Sequence, residues 1–192
     1  MIKAVIFDCF GVLITDALGA MVSEIRETKP NEAQEILSIL MAASKGQISR
    51  QNASEAVSTL FGMTMDEYVN RVQNAEVKNY ELLDYIVELR KTYKTAMLSN
   101  VSIGGLAARF EKSELDRCFD EIVASGDIGY AKPEPEAYEI AADRLGVRLE
   151  ECVFIDDREE YCEGAQSVGM EAIQYVGFKD MKVELEKALG GV

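Results

Sequence analysis

The stretch AVIFDCFGVL, residues 4–13, decides the fold of this chain. Its first four residues are apolar, two of them are β-branched, and the run ends at Asp8 and the turn residue Gly11. A short apolar run bounded by turn residues is typical of a strand that is buried on both faces. We therefore predict a buried strand over residues 4–7 that carries Asp8 at its carboxyl end.

Four further apolar runs follow along the chain, and a helical pattern separates each from the next. They lie at residues 95–98, 122–124, 152–155 and 172–176. Buried strands that alternate with helices predict an α/β fold, with a parallel sheet covered by helices on both faces. In such sheets ligands bind at the carboxyl ends of the strands. The sequence therefore directs attention to the residues that follow each strand.

The segment over residues 15–80 differs from the rest because it contains no convincing strand pattern. Leu18, Met21 and Val22 begin a series of apolar residues at helical spacing, which continues through three more runs. Thr64 followed three residues later by Glu67 is a capping-box signature for one of these helices. We predict an all-α cap at 15–80, inserted after the first strand, and a core formed by 1–14 and 81–192.

The charge and the missing residue types exclude several functions. The formal net charge is −14 and the chain has no histidine. An excess of carboxylates opposes binding to nucleic acid and to anionic membranes, since both depend on Lys and Arg contacts with phosphates. Without histidine, Ser-His-Asp triads, Cys-His pairs and His-bound zinc are impossible. Catalysis must therefore use carboxylates, Lys, Ser or Cys.

The cysteines and the N-terminus predict a cytoplasmic location. The four cysteines have no C-x-x-C spacing and are too few to cross-link a chain of 192 residues, so we expect reduced thiols. The chain enters its first strand too early for a signal peptide, and no apolar run is long enough to cross a bilayer. Oligomeric state has no readable signal, and monomer and dimer both remain open.

Four polar features follow the predicted strands in order. They are Asp8, Ser99-Asn100, Lys132-Pro133 and Asp156-Asp157. Taken singly, each has an ordinary explanation as a helix cap, a turn or a solvated loop. Their joint occurrence along one predicted parallel sheet favours a common site at its carboxyl edge.

These features resemble the motifs of the haloacid dehalogenase superfamily, and the resemblance covers nearly the whole chain. The resemblance implies a Rossmann-like sheet with a small helical cap. The chain most resembles bacterial sugar-phosphate phosphatases of the glucose-1-phosphatase kind. The resemblance implies that Asp8 is the catalytic nucleophile. It also implies that Ser99, Asn100 and Lys132 bind the phosphoryl group, with Lys132 stabilising its charge.

The same resemblance implies a Mg²⁺ site. Its ligands would be Asp8, Asp157 and the backbone carbonyl of Phe10, with Asp156 as a further ligand or an orienting residue. A carboxylate that attacks a phosphate dianion is repelled by it, and a divalent cation held by oxygen ligands removes this repulsion. The implied activity is hydrolysis of a small phosphorylated metabolite through an aspartyl-phosphate on Asp8.

Two positions depart from the family pattern. Phe10 stands where family phosphatases usually carry a second Asp that protonates the leaving group, a function typically worth roughly 10²- to 10⁴-fold in rate. Asp16 is a possible replacement. Tyr161 stands where the family tends to place Asp or Asn near the metal, and the neighbouring Glu160 is a possible substitute.

These departures leave two alternatives open. The 2-haloacid dehalogenases of the same superfamily also have an aromatic residue at the position of Phe10, and their Asp attacks carbon without a metal. However, three uncompensated carboxylates in one site would raise one another's pKa and weaken the nucleophile. The other alternative is a binding or regulatory protein that keeps the fold and has lost turnover. Neither the substrate nor the group that replaces the missing acid is evident in the sequence.

Overall fold

The computed structural model describes residues 1–190, in which five strands form one parallel sheet. The strands are β1 (Ala4–Phe7), β2 (Lys94–Ser99), β3 (Glu121–Ala124), β4 (Cys152–Asp156) and β5 (Glu171–Gln174). Their order across the sheet is β3-β2-β1-β4-β5. This order puts β1 at the centre, so the residue that follows β1 is flanked by the ends of β2 and β4.

Helices precede or follow every strand. They are α1 (Ala17–Arg26), α2 (Pro30–Ser44), α3 (Arg50–Phe61), α4 (Met65–Ala75), α5 (Tyr80–Leu89), α6 (Lys112–Cys118), α7 (Ser125–Ile128), α8 (Pro135–Leu145), α9 (Glu159–Ser167) and α10 (Phe178–Ala188). Within residues 1–190, we find no helix with both the length and the apolar character that a membrane span requires.

Alternate residues of the strands pack into two apolar layers, one on each face of the sheet. Val5 and Phe7 of β1 face the layer that includes the buried side chains of α5, α6 and α10. Ala4 and Ile6 face the opposite layer, which α8 and α9 cover. Because side chains of a strand alternate between faces, a strand buried on both must be apolar throughout. The predicted parallel sheet with helices on both faces is confirmed.

The predicted position of the last strand was wrong by one to two residues. The run at 172–176 predicted a strand that ends at Val176, whereas β5 ends at Gln174. The amide of Tyr175 makes a last ladder-like hydrogen bond to Asp156 at 2.8 Å, and Val176 is 73% exposed. Strand β5 lies at the sheet edge and only Ile173 within it is buried, so an uninterrupted apolar run does not define its ends.

Helices α1–α4 pack around a small apolar core of their own. Its buried members include Met21, Ile36, Val57, Tyr68 and Val72. The Thr64–Glu67 capping box predicted from the sequence is present at the start of α4. This group of helices corresponds to the cap expected at residues 15–80.

The chain leaves and re-enters the α/β core through two segments that are hydrogen-bonded to each other. The amide of Thr15 donates to Val77, and the amide of Asn79 donates to Leu13. Helix α5 then begins at Tyr80, one residue before the core segment expected to resume at 81. Residues 191 and 192 of that expected segment lie outside the described residues. The domain boundaries themselves stay a prediction.

Candidate active site

Asp8 lies directly after the central strand β1 at the carboxyl edge of the sheet. Its amide donates to the carbonyl of Ile155 in β4 at 2.8 Å, which fixes the backbone of Asp8 beside that strand. The side chain is buried, and it lines a cavity of about 280 Å³. Asp8 is therefore rigidly placed, with access to a ligand.

Lys132 is a fully buried cation that joins two of the predicted acidic residues. Its Nζ donates to Asp8 Oδ1 and to Asp156 Oδ2, both at 2.6 Å. The ammonium group also lies 5.1 Å from the ring centroids of Phe154 and Tyr161, whose faces favour a cation. Only 1% of Lys132 is exposed, so its charge depends on these partners.

Asn100 holds the backbone of Lys132 from the end of β2. The Lys132 amide donates to Asn100 Oδ1 at 2.8 Å, and Asn100 Nδ2 donates to the Lys132 carbonyl at 2.9 Å. The sequence expectation gave Asn100 contact with phosphate. It does line the cavity, but the amide group is already used to position Lys132.

Asp157 supplies a carboxylate oxygen that is available as a ligand for a cation. Within the described residues, Asp157 Oδ1 is buried and lacks a hydrogen-bond partner. Oxygens of Asp8, Asp156 and Asp157 lie within 4.8 Å of one another. Gly11 has a φ of 94° and borders this site, where a Cβ would collide with the Asp157 carboxylate. A buried set of oxygen ligands fits Mg²⁺, which binds carboxylates and keeps several other oxygen ligands.

Asp156 is less available than its two neighbours. Its Oδ2 accepts from Lys132, and its Oδ1 accepts from the amide of Arg158 at 2.9 Å. Both oxygens are thus engaged within the protein. These contacts favour the orienting function that the sequence left open for Asp156.

Burial raises the pKa of two of these carboxyls. The pKa of Asp8 rises to about 7, because loss of solvent and the charge of Asp156 outweigh the attraction of Lys132. The pKa of Asp157 rises to about 6, again through burial and then through Asp156 and Asp16. Without a metal, this site disfavours its own negative charge, and a divalent cation would relieve that cost.

Ser99 ends β2 beside Asp8's strand and is fully buried. Its hydroxyl makes no hydrogen bond to any part of residues 1–190. A buried hydroxyl without a partner costs free energy, so it marks a position where a bound group could be satisfied. Its proposed contact with phosphate stays a prediction.

Phe10 and Tyr161, the two departures from the family pattern, both contact cationic groups. The Arg109 guanidinium lies 5.0 Å from the centroid of the Phe10 ring. Tyr161 packs its ring against Lys132 and Arg158, and its hydroxyl accepts from Asn100 Nδ2 at 3.3 Å. Both aromatic residues therefore support neighbouring charged groups, while neither supplies a carboxylate.

Arg109 and Glu76 are cavity residues that the sequence did not reveal. Arg109 pairs with Glu76 at 2.6 Å, and both side chains are largely buried. Arg109 lies in a series of turns between β2 and α6, and Glu76 follows α4, so no periodic pattern relates them. They meet only because the cap returns to the core beside the loop after β2. Asp16, the expected substitute acid, lines the same cavity and accepts from Gly19 as the N-cap of α1.

Comparison with known proteins gives a consistent result. A family model for haloacid dehalogenase-like hydrolases matches residues 2–169. A curated relative, D-ribitol-5-phosphate phosphatase from Bacteroides thetaiotaomicron, is 26% identical over 208 residues, covering 96% of this chain and 97% of that protein. The (S)-2-haloacid dehalogenase 4A of Burkholderia cepacia is 34% identical over 82 residues, covering 43% of this chain and 36% of that enzyme.

A solved structure shows the same fold. It is a mutant haloacid dehalogenase family enzyme from Bacteroides thetaiotaomicron in complex with magnesium and inorganic phosphate. It has a TM-score of 0.71 and 23% identity, and covers 91% of this chain and 94% of its own. For three curated relatives, the Burkholderia dehalogenase included, the aligned stretch covers only 21–39% of the relative's length. Activity and substrate therefore do not follow from these matches alone.

Proposed function

Since the chain belongs to the haloacid dehalogenase-like hydrolase family, we propose that it is a Mg²⁺-dependent phosphomonoesterase acting on a small phosphorylated metabolite through Asp8. The observation that carries this proposal is the pairing of Asp8 with buried Lys132 beside the unpartnered Asp157 oxygen. Lys132 keeps the nucleophile in position, and the nearby oxygens suit a hard divalent cation.

The first step forms a bond between an Asp8 oxygen and phosphorus, while the bond from phosphorus to the leaving-group oxygen breaks. Asp8, Asp157 and the Phe10 carbonyl would hold Mg²⁺, which when bound neutralises the charge between nucleophile and phosphate. Lys132 and Ser99 donate to the phosphoryl oxygens as their charge redistributes. Asn100 and Asp156 act by positioning Lys132.

In the second step, water attacks the aspartyl-phosphate, releases inorganic phosphate and restores Asp8. It is in the first step that the oxygen of the leaving group takes its proton, from water or from Asp16, which lines the cavity with Asp8. Phe10 cannot supply this proton. Leaving groups of low pKa therefore suit the site, because they depart without protonation.

The experiment that tests this proposal measures phosphate release from a panel of small phosphomonoesters and acyl phosphates with Mg²⁺ or with EDTA. Chloride release from 2-chloropropionate is measured in parallel. We expect phosphate release that EDTA abolishes. Chloride release that is insensitive to EDTA would replace the proposal with a dehalogenase, an alternative that the aromatic residue at position 10 favours. Absence of both products would support a binding or regulatory protein.

Phe10→Asp is expected to increase turnover of phosphoesters with poor leaving groups by about 10²-fold. This lies at the low end of the usual acid–base contribution, because Arg109 beside position 10 would favour the ionised carboxyl. The measurement is kcat for an alkyl phosphate and for an acyl phosphate. Phe10→Asn, which cannot donate an acidic proton, serves as the control. Equal gains on both substrates would argue against a general acid.

Mg²⁺ is expected to raise the Tm more at about pH 8 than at about pH 5. The raised pKa values of Asp8 and Asp157 mean that the metal-free folded protein binds protons more tightly than the unfolded chain. Its stability therefore falls as pH rises through about 4 to 7. Mg²⁺ must displace those protons at low pH and meets free carboxylates at high pH.

At a hundredfold excess over Kd, the stabilisation by Mg²⁺ at high pH is expected to reach about 2.7 kcal/mol. Differential scanning calorimetry with Mg²⁺ or EDTA at both pH values provides the measurement. Asp157→Asn should remove most of the effect. A Tm increase that is independent of pH would place Mg²⁺ elsewhere on this acidic protein.

The partner expected from the sequence, a small phosphorylated substrate without nucleic acid or membrane, remains part of this proposal. The cytoplasmic location is likewise a proposal, and so is an oligomeric state of monomer or dimer. The charge of −14 supports the absence of nucleic acid, because phosphate backbones would be repelled.

A further inference from the structure

The cavity above Asp8 has two walls of different chemistry. The α/β core contributes mostly polar and charged residues, among them Asp8, Asn100, Ser102 and Arg109. The cap contributes mostly apolar side chains: Leu18, Leu37, Leu40, Met41, Val69 and Val72. The polar end of the cavity is therefore at the nucleophile, and the apolar surface lies across from it.

Helix α2 explains the apolar wall, because it carries two adjacent apolar stripes. Ile36 belongs to the first stripe and is buried in the small core of the cap. Leu37, Leu40 and Met41 form the second, which lines the cavity and stays partly exposed. Leu37 and Leu40 also pack against the core of the cap, so the surface that this stripe leaves uncovered is mainly that of Met41.

Two cavity residues are unusually exposed for their type. Met41 and Val69 are each 38% exposed, and they come from different helices, α2 and α4. Exposed apolar surface that converges on a concave site is typical of a ligand-binding wall. A ligand that covers this surface would recover the hydrophobic free energy that the free protein lacks.

Most polar groups on the cap wall are already engaged. The Ser44 hydroxyl donates to the Met41 carbonyl at 2.9 Å, and Arg50 donates to the Gly104 carbonyl at 3.4 Å. Ser54 lies beside the hydroxyl of Tyr68. Gln73 also lies on this wall, as do Asp16, which caps α1, and Glu76, which pairs with Arg109. A polyol needs a partner for each hydroxyl that it buries, and this wall offers few.

We propose that the substrate is an amphipathic phosphomonoester with an aryl leaving group that lies against Leu37, Leu40, Met41 and Val69. An aryl oxide departs without protonation more readily than an alkoxide, which suits a site with Phe10 in place of an acid. This inference rests on the proposed function, since it places the phosphoryl group at Asp8. The cavity volume of about 280 Å³ is close to the lower end of the range for ligand pockets, roughly 300–1,000 Å³, so the cavity suits a small substrate.

The test measures kcat/KM for phosphate release, with Mg²⁺, from phenyl, 4-methylphenyl, 4-ethylphenyl and 4-butylphenyl phosphate, whose leaving groups have nearly the same pKa. D-ribitol 5-phosphate and glucose 1-phosphate are the polar comparisons. We expect kcat/KM to increase by up to about fourfold for each added methylene until the cavity is filled. The proposal is overturned if the values do not depend on the length of the 4-alkyl chain, or if the polyol phosphates are better substrates than 4-butylphenyl phosphate.

A double variant examines the wall itself. Met41→Gln combined with Val69→Gln changes two partly exposed residues, so the cap should still fold. We expect the dependence of kcat/KM on chain length to flatten in this variant. Val183→Gln is the matched control: Val183 is 50% exposed on α10, away from the cavity, and the dependence should be preserved there. An unchanged dependence in the double variant would remove the wall from substrate recognition.

Calorimetric binding of alkylphosphonates in the presence of Mg²⁺ separates this inference from the proposed function. Phosphonates carry the same head group and cannot be hydrolysed as esters. If affinity increases with chain length but no phosphoester is cleaved, the proposed function fails and the ligand class stands. If phosphoesters are cleaved but affinity ignores chain length, the phosphatase stands and the apolar leaving group is wrong.

Discussion

Asp8→Asn is expected to lower kcat/KM for phosphoester hydrolysis by at least about 10⁴-fold, the order of loss when a covalent nucleophile is removed. Asn keeps the shape of the side chain, yet its amide cannot form the aspartyl-phosphate. The same substitution should raise the Tm in EDTA at neutral pH and above. The pKa of Asp8 is about 7, so at this pH and above the folded protein keeps a buried negative charge that costs free energy. Asn removes that charge.

Activity and stability should therefore move in opposite directions in this variant. Steady-state phosphate release and thermal unfolding in EDTA are the two measurements. Asp16→Asn is an informative comparison, because Asp16 lines the cavity and caps α1 without contacting Lys132. Asn serves as an N-cap about as well as Asp, so this variant should keep its stability and retain a nucleophile. Residual turnover of Asp8→Asn above about a hundredth of the parent rate would exclude the covalent mechanism.

Lys132→Met is expected to lower the free energy of unfolding by about 3–5 kcal/mol near pH 8, because it leaves buried carboxylates without their cation. Lys132 bridges Asp8 and Asp156 in the interior, and both remain when the ammonium group is removed. The pKa of Asp8 then rises further above that of an unfolded Asp, because the attraction of Lys132 is lost. The folded variant takes up protons more readily than the unfolded chain, so its deficit should shrink as pH falls.

Urea unfolding at about pH 8 and about pH 5 measures this change. Lys45→Met is the matched control, because Lys45 forms a more exposed pair with Glu134 in which 23% and 37% of the side chains are accessible. It should cost less than about 1 kcal/mol at either pH. If both variants lost similar stability, or if the loss in Lys132→Met did not depend on pH, the ion pair would not be the cause.

Much of the fold was predictable because a strand that is buried on both faces can be recognised in the sequence as a short run of apolar residues. The central strands β1, β2 and β4 are buried on both faces over most of their length and are therefore largely apolar, and their ends point to Asp8, Ser99 and Asp156. Edge strand β5 has no such constraint, and its predicted position was wrong. Local periodicity suffices where a segment packs on all sides, and fails where half of it faces solvent.

The candidate site was predictable only in part, for a related reason. Residues at strand ends are brought together by the topology itself, which is why Asp8 and the acidic pair at 156–157 were expected to meet. Lys132 lies farther along the chain, past the short helix α7 that follows β3. Arg109 and Glu76 meet through a loop of turns and the end of a cap helix, a contact between distant segments that no spacing encodes. The hydrogen bond by which Asn100 holds the backbone of Lys132 could not be predicted either, because it depends on side-chain orientation.

The two segments that connect the cap to the core are hydrogen-bonded to each other, Leu13 with Asn79 and Thr15 with Val77. The sequence requirements of the cap are therefore separate from those of the core. Because these segments bind each other, the ends of the insertion keep one spacing whatever lies between them. Lengthening such an insertion costs little, since closure entropy grows only with the logarithm of its length. A different helical module could thus be exchanged above an unaltered nucleophile, so that substrate choice diversifies while the reaction stays the same.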